Sequence, residues 1–402
     1  MKKTLTDINF DNKVVIARVD FNVPIKMDQN NQQSIADDTR ILAALPTINY
    51  LLEKNVKLIL LSHLGRIKQP QDLGTKSLKI VAQELQKHIK NKVIFVNKTQ
   101  GQEVLDAVKN LQKGEVLFLE NTRFEDLNDK AESKNNPELA KFWASLADVF
   151  VNDAFGTSHR SHASNVGIAS NIKESCLGFL MAKEIQNLDR IKNNPPKPFV
   201  SIIGGAKISD KIQVLEKLLG ISDHVLIGGA MAYTFLKSQG HEVGQSLVEN
   251  DYLQLASQML TKYADKIVLP VDSAMSKEFA DIKPVYKTYA SKTIESDDDG
   301  MDIGSQTVEL FSSYIKEAKS IFWNGPLGVT EFDNFAIGTK AIATAISQNN
   351  DCFSVVGGGD SVAAIKKLQL VSKFSFISTG GGASLEFVQD ASLPGYECIE
   401  NK

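Results

Sequence analysis

The feature that most constrains the fold is a regular alternation between short apolar segments and longer stretches with helical periodicity. In stretches such as 77–90 and 210–219, apolar residues recur every three or four positions. This alternation is typical of parallel strands connected by helices, so it predicts doubly wound, Rossmann-like α/β sheets. The predicted strands span 14–19, 57–61, 93–96, 116–119 and 149–151, and then 199–203, 224–227, 266–269, 320–323, 353–356 and 375–377.

A chain of 402 residues exceeds the size of one ordinary core, so its length favours two lobes of similar size. Between the two sets of strands, residues 175–194 carry apolar side chains at helical spacing, and Pro195 and Pro196 would end a helix there. We therefore predict an N-terminal lobe over 1–174, a connecting helix over 175–194 and a C-terminal lobe over 195–388.

The overall charge and composition exclude several classes of protein. A net charge of −3 and a pI near 6.1 do not favour a polyanion-binding surface, so any anion site must be local. No apolar run approaches the roughly 18 residues of a membrane span, and the first residues do not resemble a signal peptide. The three cysteines are widely spaced, as is typical of reduced thiols. We expect a cytoplasmic protein without nucleic-acid or membrane partners.

One acidic segment, 291–302, contains three consecutive aspartates followed by Gly300. We expect it to be a solvated loop. The alternating ligand pattern of a calcium-binding loop is absent, so the segment does not predict a calcium site.

The arginines are the most informative residues of the first half. Six of the 45 basic residues are arginine, which leaves 39 lysines, and all six arginines precede residue 191. Four of them, Arg18, Arg66, Arg123 and Arg160, lie at or just beyond predicted strand ends, where parallel sheets bind ligands. Since guanidinium groups bind carboxylates and phosphates through two parallel hydrogen bonds, this placement predicts a site for a small acid. We add Arg40, in the first turn of a predicted helix, and assign a structural role to Arg190.

Histidine and short polar side chains accompany these arginines. His63, His159 and His162 suit anion binding better than a metal site, because no third ligand is near. Asp20 and Asn22 have side chains that can hold a substrate hydroxyl, or alternatively cap the turn before Pro24.

Glycine-rich turns follow the predicted strands of the second half. Glycines at a strand-to-helix turn let backbone N–H groups approach phosphate oxygens. Lys207 and Lys211 stand four residues apart, on one face of a helix if one begins there. No Walker motif and no spaced dinucleotide fingerprint is present, which weakens the interpretations of the chain as a P-loop protein or as a dehydrogenase. The turns begin at Gly204, Gly228, Gly325, Gly357 and Gly380.

Together these motifs resemble phosphoglycerate kinase, in family order from about residue 18 to about residue 386. They are 18–24 (RVDFNVP), 62–66 (SHLGR), 152–156 (NDAFG) with His159 and Arg160, 204–207 (GGAK), 323–326 (WNGP) and 357–360 (GGGD). The resemblance implies the reaction 1,3-bisphosphoglycerate + ADP ⇌ 3-phosphoglycerate + ATP, a step of glycolysis and gluconeogenesis. It also implies two lobes with an active-site cleft between them, a C-terminal tail, 389–402, that packs on the first lobe, and a monomer.

The resemblance assigns roles to three sets of residues. Those implied to bind the glycerate are Arg18, Asp20, Phe21, Asn22, Arg40, His63, Leu64, Gly65, Arg66, Arg123, His159, Arg160 and His162. Those implied to bind ADP or ATP are Gly204, Gly205, Lys207, Lys211, Gly228, Gly229, Asn324, Pro326, Val329, Glu331, Gly357, Gly358, Gly359, Asp360 and Ser361, with Asp360 orienting Mg²⁺. Those expected to act on the migrating phosphoryl group are Arg40, Lys207, Lys211, Gly358, Gly359 and Gly381.

The acceptor carboxylate is already ionised at pH 7, so we expect in-line transfer without a general base, after closure of the lobes. Ala230, Thr330 and Ser361 depart from the usual family pattern and are expected to alter nucleotide affinity. They leave open a non-catalytic nucleotide-binding protein on the same fold. A nicotinamide dehydrogenase is a further alternative, disfavoured by the missing fingerprint.

Overall fold

The computed structural model describes residues 1–30, 33–291 and 293–402. These residues form two compact units. Unit 1 comprises Met1–Gln186 and Ser392–Lys402, and unit 2 comprises Asn187–Ala391. Each unit contains a six-stranded parallel sheet.

The strands of unit 1 are β1 (Val14–Arg18), β2 (Ile25–Met27), β3 (Gln33–Ile35), β4 (Lys57–Leu61), β5 (Val93–Val96), β6 (Val116–Leu119), β7 (Val149–Asn152) and β8 (Glu174–Leu177). Six of them form a parallel sheet of order β5-β6-β4-β1-β7-β8, and β2 and β3 form a separate hairpin. The central strands of the parallel sheet are apolar and buried along nearly their whole length, as is typical of a parallel sheet covered on both faces.

Helices of unit 1 bury one apolar face on this sheet. In the core, Ile48 and Leu51 of the first helix and Leu85 of the third pack with strand residues such as Leu58. Full burial of such a side chain contributes about 1.5–3 kcal/mol. The helices are α1 (Thr39–Glu53), α2 (Asp72–Thr75), α3 (Lys79–His88), α4 (Gln102–Asn110), α5 (Pro137–Ala144), α6 (Ile168–Asn171), α7 (Phe179–Asn193), within which the division between the units falls, and α15 (Pro394–Glu397).

The strands of unit 2 are β9 (Phe199–Ile203), β10 (His224–Ile227), β11 (Ile267–Val268), β12 (Asp272–Ser276), β13 (Val285–Thr288), β14 (Asp299–Ile303), β15 (Ser320–Asn324), β16 (Phe353–Gly357) and β17 (Phe376–Ile377). They form a parallel sheet of order β11-β10-β9-β15-β16-β17 and an antiparallel sheet of order β13-β12-β14. The helices are α8 (Ile212–Ile221), α9 (Met231–Ser238), α10 (Leu253–Lys262), α11 (Ser305–Glu317), α12 (Ile337–Gln348), α13 (Gly359–Lys367) and α14 (Gly382–Val388).

The predicted parallel α/β architecture is confirmed, and each of the predicted strands overlaps a strand of the structure. The predicted connecting helix, 175–194, is wrong at its start. Residues Glu174–Leu177 form β8, which pairs with β7, and the helix begins only at Phe179. Gly178 lies between the strand and the helix, and an added Cβ there would lie closer than 3.0 Å to Asp153, so the close packing of the two segments requires glycine.

The prediction of a solvated acidic loop over 291–302 is also wrong for its second half. Asp299–Ile303 form β14, and the side chains of Asp298 and Asp302 are buried. Asp298 is stabilised by Lys287, whose Nζ lies 2.6 Å from its carboxylate. Lys292, in the first half of the segment, lies outside the described residues.

None of the helices in the described part of the chain is long and apolar enough to cross a membrane.

Candidate active site

The arginine-bearing segments of unit 1 come together where the carboxyl ends of four strands meet at one edge of the parallel sheet. β1 lies between β4 and β7, and β4 pairs with β6, so the segments after these strands become neighbours. This position is the switch point of a doubly wound sheet, where such folds bind ligands. The prediction that distant arginine-bearing segments converge therefore has a topological cause.

These segments surround a cavity of about 240 Å³. Four of its side chains are arginines and two are histidines, so it suits a small anion. Its lining residues are Asp20, Asn22, Arg40, His63, Gly65, Arg66, Arg123, Gly156, Thr157, His159 and Arg160.

Asp20 is the one carboxylate of the cavity lining. It is buried and forms an ion pair with Arg40, which the first turn of α1 supplies. Burial alone would raise the pKa of Asp20, but the charge of Arg40 makes the largest opposing contribution, and the pKa is lowered to about 2. Asp20 is therefore ionised at neutral pH and orients Arg40.

The two histidines of the cavity are neutral at pH 7. Burial lowers the pKa of His63 well below its ordinary value, and the nearby arginines lower it further. Burial and Arg160 also lower the pKa of His159, whose Nε2 accepts a hydrogen bond from Nε of Arg160 at 2.9 Å. Neutral rings leave the positive charge of the site to the arginines.

Four residues predicted to contact the glycerate do not line the cavity. Arg18, Phe21, Leu64 and His162 are all buried. Arg18 contacts protein groups: its Nε donates to Ser164 Oγ at 2.9 Å and its Nη2 lies 3.1 Å from Nδ1 of His63. The structure thus assigns it to the support of the cavity.

Two further residues of the cavity, Gly156 and Thr157, are absent from the predicted site. The signal for them is their place in the segment after β7, between Asn152 and His159. Asn121 was also not predicted as a site residue, although it links the segments that follow β4 and β6. Its Oδ1 accepts hydrogen bonds from the backbone N–H groups of Leu64 and Arg123, both at 3.1 Å.

In unit 2, the glycine turns after β9, β10, β15 and β16 pack against one another. Gly204 donates its N–H to the carbonyl oxygen of Asn324 at 2.9 Å, and Gly205 donates to that of Pro326 at 3.1 Å. Lys211 Nζ donates to Asn324 Oδ1 at 2.8 Å, and burial lowers the pKa of Lys211. At Gly204 an added Cβ would lie closer than 3.0 Å to Pro326. The glycine there is required by the packing of the turns.

The remaining glycines of the predicted nucleotide site fall into those that packing requires and those with space around them. An added Cβ would clash at Gly228 and Gly229, whereas none of its neighbours comes within 3.0 Å at Gly357 or Gly358. At Gly359 and Gly382, and at Gly381 with its φ of +55°, a Cβ would meet nothing within 4 Å. These last three glycines border open space at the first turns of α13 and α14, where the N–H groups of a helix start favour an anion.

The first turn of α13 also carries two side-chain oxygen groups that can still accept a hydrogen bond or bind a cation. The hydroxyl of Ser361 is buried and has no hydrogen-bond partner among the described residues. Asp360 is exposed, and none of the described basic side chains pairs with it. An exposed carboxylate beside these glycine turns fits Mg²⁺, which proteins hold through one or two carboxylates together with substrate phosphates.

Two other predicted nucleotide residues, Lys207 and Glu331, make no polar contact with the packed glycine turns in the described chain. Val329 packs with Phe335 in a separate apolar cluster. Ala230 and Thr330, two of the residues that depart from the usual family pattern, are partly buried, and neither introduces a charge.

Comparisons with known proteins show the family to which the chain belongs. Residues 5–391 match the family model described as phosphoglycerate kinase. A protein of that name from Fusobacterium nucleatum is 53% identical, with 100% of both chains covered. One from Mycoplasmopsis pulmonis is 51% identical over the whole of this chain, which spans only 52% of that relative's length.

A solved structure of phosphoglycerate kinase from Coxiella burnetii superposes with a TM-score of 0.86 at 38% identity, covering 99% of this chain and 98% of that one. The family model spans most of the chain, and relatives above 50% identity cover its whole length. The chain therefore belongs to the phosphoglycerate kinase family.

Proposed function

We propose that the chain transfers a phosphoryl group reversibly between 1,3-bisphosphoglycerate and ADP, giving 3-phosphoglycerate and ATP. The observation that carries this proposal is the cavity of unit 1, whose four arginines and neutral histidines fit a ligand with a carboxylate and a phosphate. Family membership supports the same pair of substrates.

In the proposed complex, Arg66, Arg123 and Arg160 bind the anionic groups of the glycerate. Asn22 Oδ1 already accepts a hydrogen bond from the N–H of Gly65 at 2.8 Å, which leaves its amide NH₂ as a donor. The ionised Asp20 beside it is an acceptor. Such a donor and acceptor pair suits the substrate hydroxyl.

In unit 2, the turns at Gly358–Gly359 and Gly381–Gly382 are proposed to bind the nucleotide phosphates through their backbone N–H groups. Lys211 supplies a positive charge beside Asn324. Asp360 and Ser361 would hold Mg²⁺, which neutralises phosphate charge when bound.

For catalysis, we propose that Arg40 and Lys211 stabilise charge on the migrating phosphoryl group. The acceptor carboxylate of 3-phosphoglycerate is ionised at pH 7, so this chain needs to supply no general base. What it must supply is alignment and charge, and in-line transfer requires the two bound substrates to meet during turnover. We therefore include domain closure in the proposed cycle.

The test is 3-phosphoglycerate-dependent consumption of Mg-ATP by the purified protein, in parallel with Arg40→Ala and the control Arg190→Ala. Arg190 is exposed and packs on Phe353, 4.0 Å from the ring centroid. We expect kcat to fall about 100-fold or more in Arg40→Ala and to stay at the parental value in Arg190→Ala. A value within a few-fold of the parent for Arg40→Ala would exclude its proposed role.

The same assay separates the alternatives. Tight ATP binding without turnover would favour a non-catalytic nucleotide-binding protein, and oxidation of NADH would favour a dehydrogenase.

We also propose a monomeric, cytoplasmic enzyme. The free, largely buried cysteines Cys176 and Cys352 support a reducing compartment. Sedimentation at micromolar concentration tests the monomer, and a dimer mass would exclude it.

A further inference from the structure

A chain of buried polar side chains leads from Glu132, which lies outside the cavity, to His63, which lines it. We propose that Glu132 is a positioning residue for this cavity, acting through Ser164 and Arg18 on the His63 ring. The inference rests on the proposed function, because it concerns how the same cavity holds 3-phosphoglycerate.

Glu132 is a fully buried carboxyl group whose two oxygens are both acceptors. Oε2 accepts a hydrogen bond from the backbone N–H of Ser164 at 2.9 Å, and Oε1 accepts one from its hydroxyl at 2.5 Å. Burial raises the pKa of Glu132, while the charge of Arg18 opposes the rise. A carboxylate is costly to bury unless it is compensated, and Arg18, itself 1% exposed, provides the compensating charge.

Ser164 transmits the effect because its hydroxyl carries a single proton. That proton is donated to Glu132, so the oxygen keeps its lone pairs for the Nε–H of Arg18 at 2.9 Å. Without the carboxylate the hydroxyl could rotate and present its proton to the guanidinium, which cannot accept it. Glu132 thus fixes Ser164 in the orientation that holds Arg18.

Arg18 in turn determines which nitrogen of His63 carries the proton. A guanidinium group has donors only, so the contact of 3.1 Å between Arg18 Nη2 and His63 Nδ1 requires Nδ1 to be the unprotonated acceptor. Arg18 Nη1 donates to the carbonyl oxygen of Val19, which fixes the guanidinium plane. A neutral His63 with Nδ1 unprotonated carries its proton on Nε2.

Nε2 of His63 has no hydrogen-bond partner among the described residues, and the ring lines the cavity. Its N–H is therefore available to an anionic oxygen of the bound glycerate. The opposite tautomer would present a lone pair to that oxygen and repel it. Glu132 therefore affects the affinity for 3-phosphoglycerate without touching the ligand.

The test uses Glu132→Gln, Ser164→Ala and the double variant, with Glu125→Gln as the control. Glu125 belongs to the same unit and also accepts two side-chain hydrogen bonds, from Thr99 and Gln100, but it has no contact with Arg18. Steady-state kinetics and titration with 3-phosphoglycerate give KM and Kd, and ¹⁵N NMR gives the His63 tautomer.

We expect Glu132→Gln to raise KM and Kd for 3-phosphoglycerate about 10-fold, since it disrupts a hydrogen-bond network to a charged group. KM for ATP should stay at the parental value, and Glu125→Gln should match the parent. The effects of Glu132→Gln and Ser164→Ala should be less than multiplicative in the double variant, because both act through one network. The parent should show Nδ1 of His63 unprotonated, and Glu132→Gln should lose this signature.

An unchanged affinity for 3-phosphoglycerate in a folded Glu132→Gln would overturn the proposal. So would equal losses for both substrates, or a proton on Nδ1 of His63 in the parent. If Glu132→Gln does not fold, Ser164→Ala and the parental tautomer decide the question. A parent protein that neither binds nor turns over 3-phosphoglycerate would instead refute the proposed function.

Discussion

Replacing Gly359 with alanine separates the ligand-binding role of a glycine turn from its role in the fold. Gly359 is the first residue of α13, and an added Cβ would meet no atom within 4 Å. Gly204 belongs to another turn at the same edge of the sheet, where an added Cβ would lie closer than 3.0 Å to the backbone of Pro326. The two substitutions add the same methyl group and differ in what surrounds it.

The expected magnitudes follow from these surroundings. Gly359→Ala restricts the unfolded chain at a compatible backbone position, so it should stabilise the protein by about 0.4–1 kcal/mol. If backbone N–H groups of this turn bind phosphate, the new methyl group blocks one charged hydrogen bond of about 1.5–3 kcal/mol. KM for ATP should then rise about 10- to 100-fold. Gly204→Ala should destabilise the fold by about 1–3 kcal/mol, because the packed turns must move apart.

Urea unfolding and steady-state kinetics of both variants provide the measurement. We expect Gly359→Ala to unfold at equal or higher urea concentration than the parent, with a raised KM for ATP and an unchanged KM for 3-phosphoglycerate. A parental KM for ATP in Gly359→Ala would refute the role of this turn in phosphate binding.

Three further predictions concern charged side chains. The pKa of Asp20 is lowered from 3.8 to about 2, so its ionised carboxylate contributes about 2 kcal/mol of stability above pH 4. This contribution is lost as the pH falls towards 2. The difference in unfolding free energy between the parent and Asp20→Asn should therefore shrink over that range. Burial raises the pKa of Asp302 from 3.8 to about 8, so the folded state binds this proton more tightly than the unfolded state and stability should fall as the pH rises from 4 to 8. Asp302→Asn should reduce this fall in urea unfolding series, and an identical pH dependence would contradict the assignment. Arg190→Ala should cost about 0.5–1 kcal/mol of stability through the lost contact with Phe353, which thermal unfolding measures, and a loss above 2 kcal/mol would exclude a simple surface contact.

The parallel sheets could be predicted because their strands are continuous apolar runs. A strand such as Phe199–Ile203 is buried along its whole length, and burial on both faces leaves a direct trace in the sequence. β14 leaves no such trace, because it contains Asp299 and Asp302. The residues that accommodate the buried carboxyl group of Asp302, such as Gly338, lie far away in the sequence.

The same distinction applies to the site. Arginines at strand ends predicted an anion site because parallel topology brings strand ends to one edge. The sequence could not show that Arg18 is buried behind the residues that line the cavity, because its hydrogen-bond partner Ser164 is 146 residues away. It also gave no reason to single out Glu132, one of many acidic residues, until the fold buried it beside Ser164.

The proposed function places 3-phosphoglycerate in the arginine cavity of unit 1 and ATP at the glycine turns of unit 2. Arg66 offers the cleanest test, because it lines the cavity, is exposed, and its guanidinium group has no hydrogen-bond or ion-pair partner among the described residues. Calorimetric titration of the parent and Arg66→Ala with 3-phosphoglycerate and, separately, with ATP gives the four affinities needed. We predict that Arg66→Ala weakens 3-phosphoglycerate binding about 10-fold or more and leaves the Kd for ATP unchanged. An unchanged Kd for 3-phosphoglycerate, or a weakened Kd for ATP, would contradict the account.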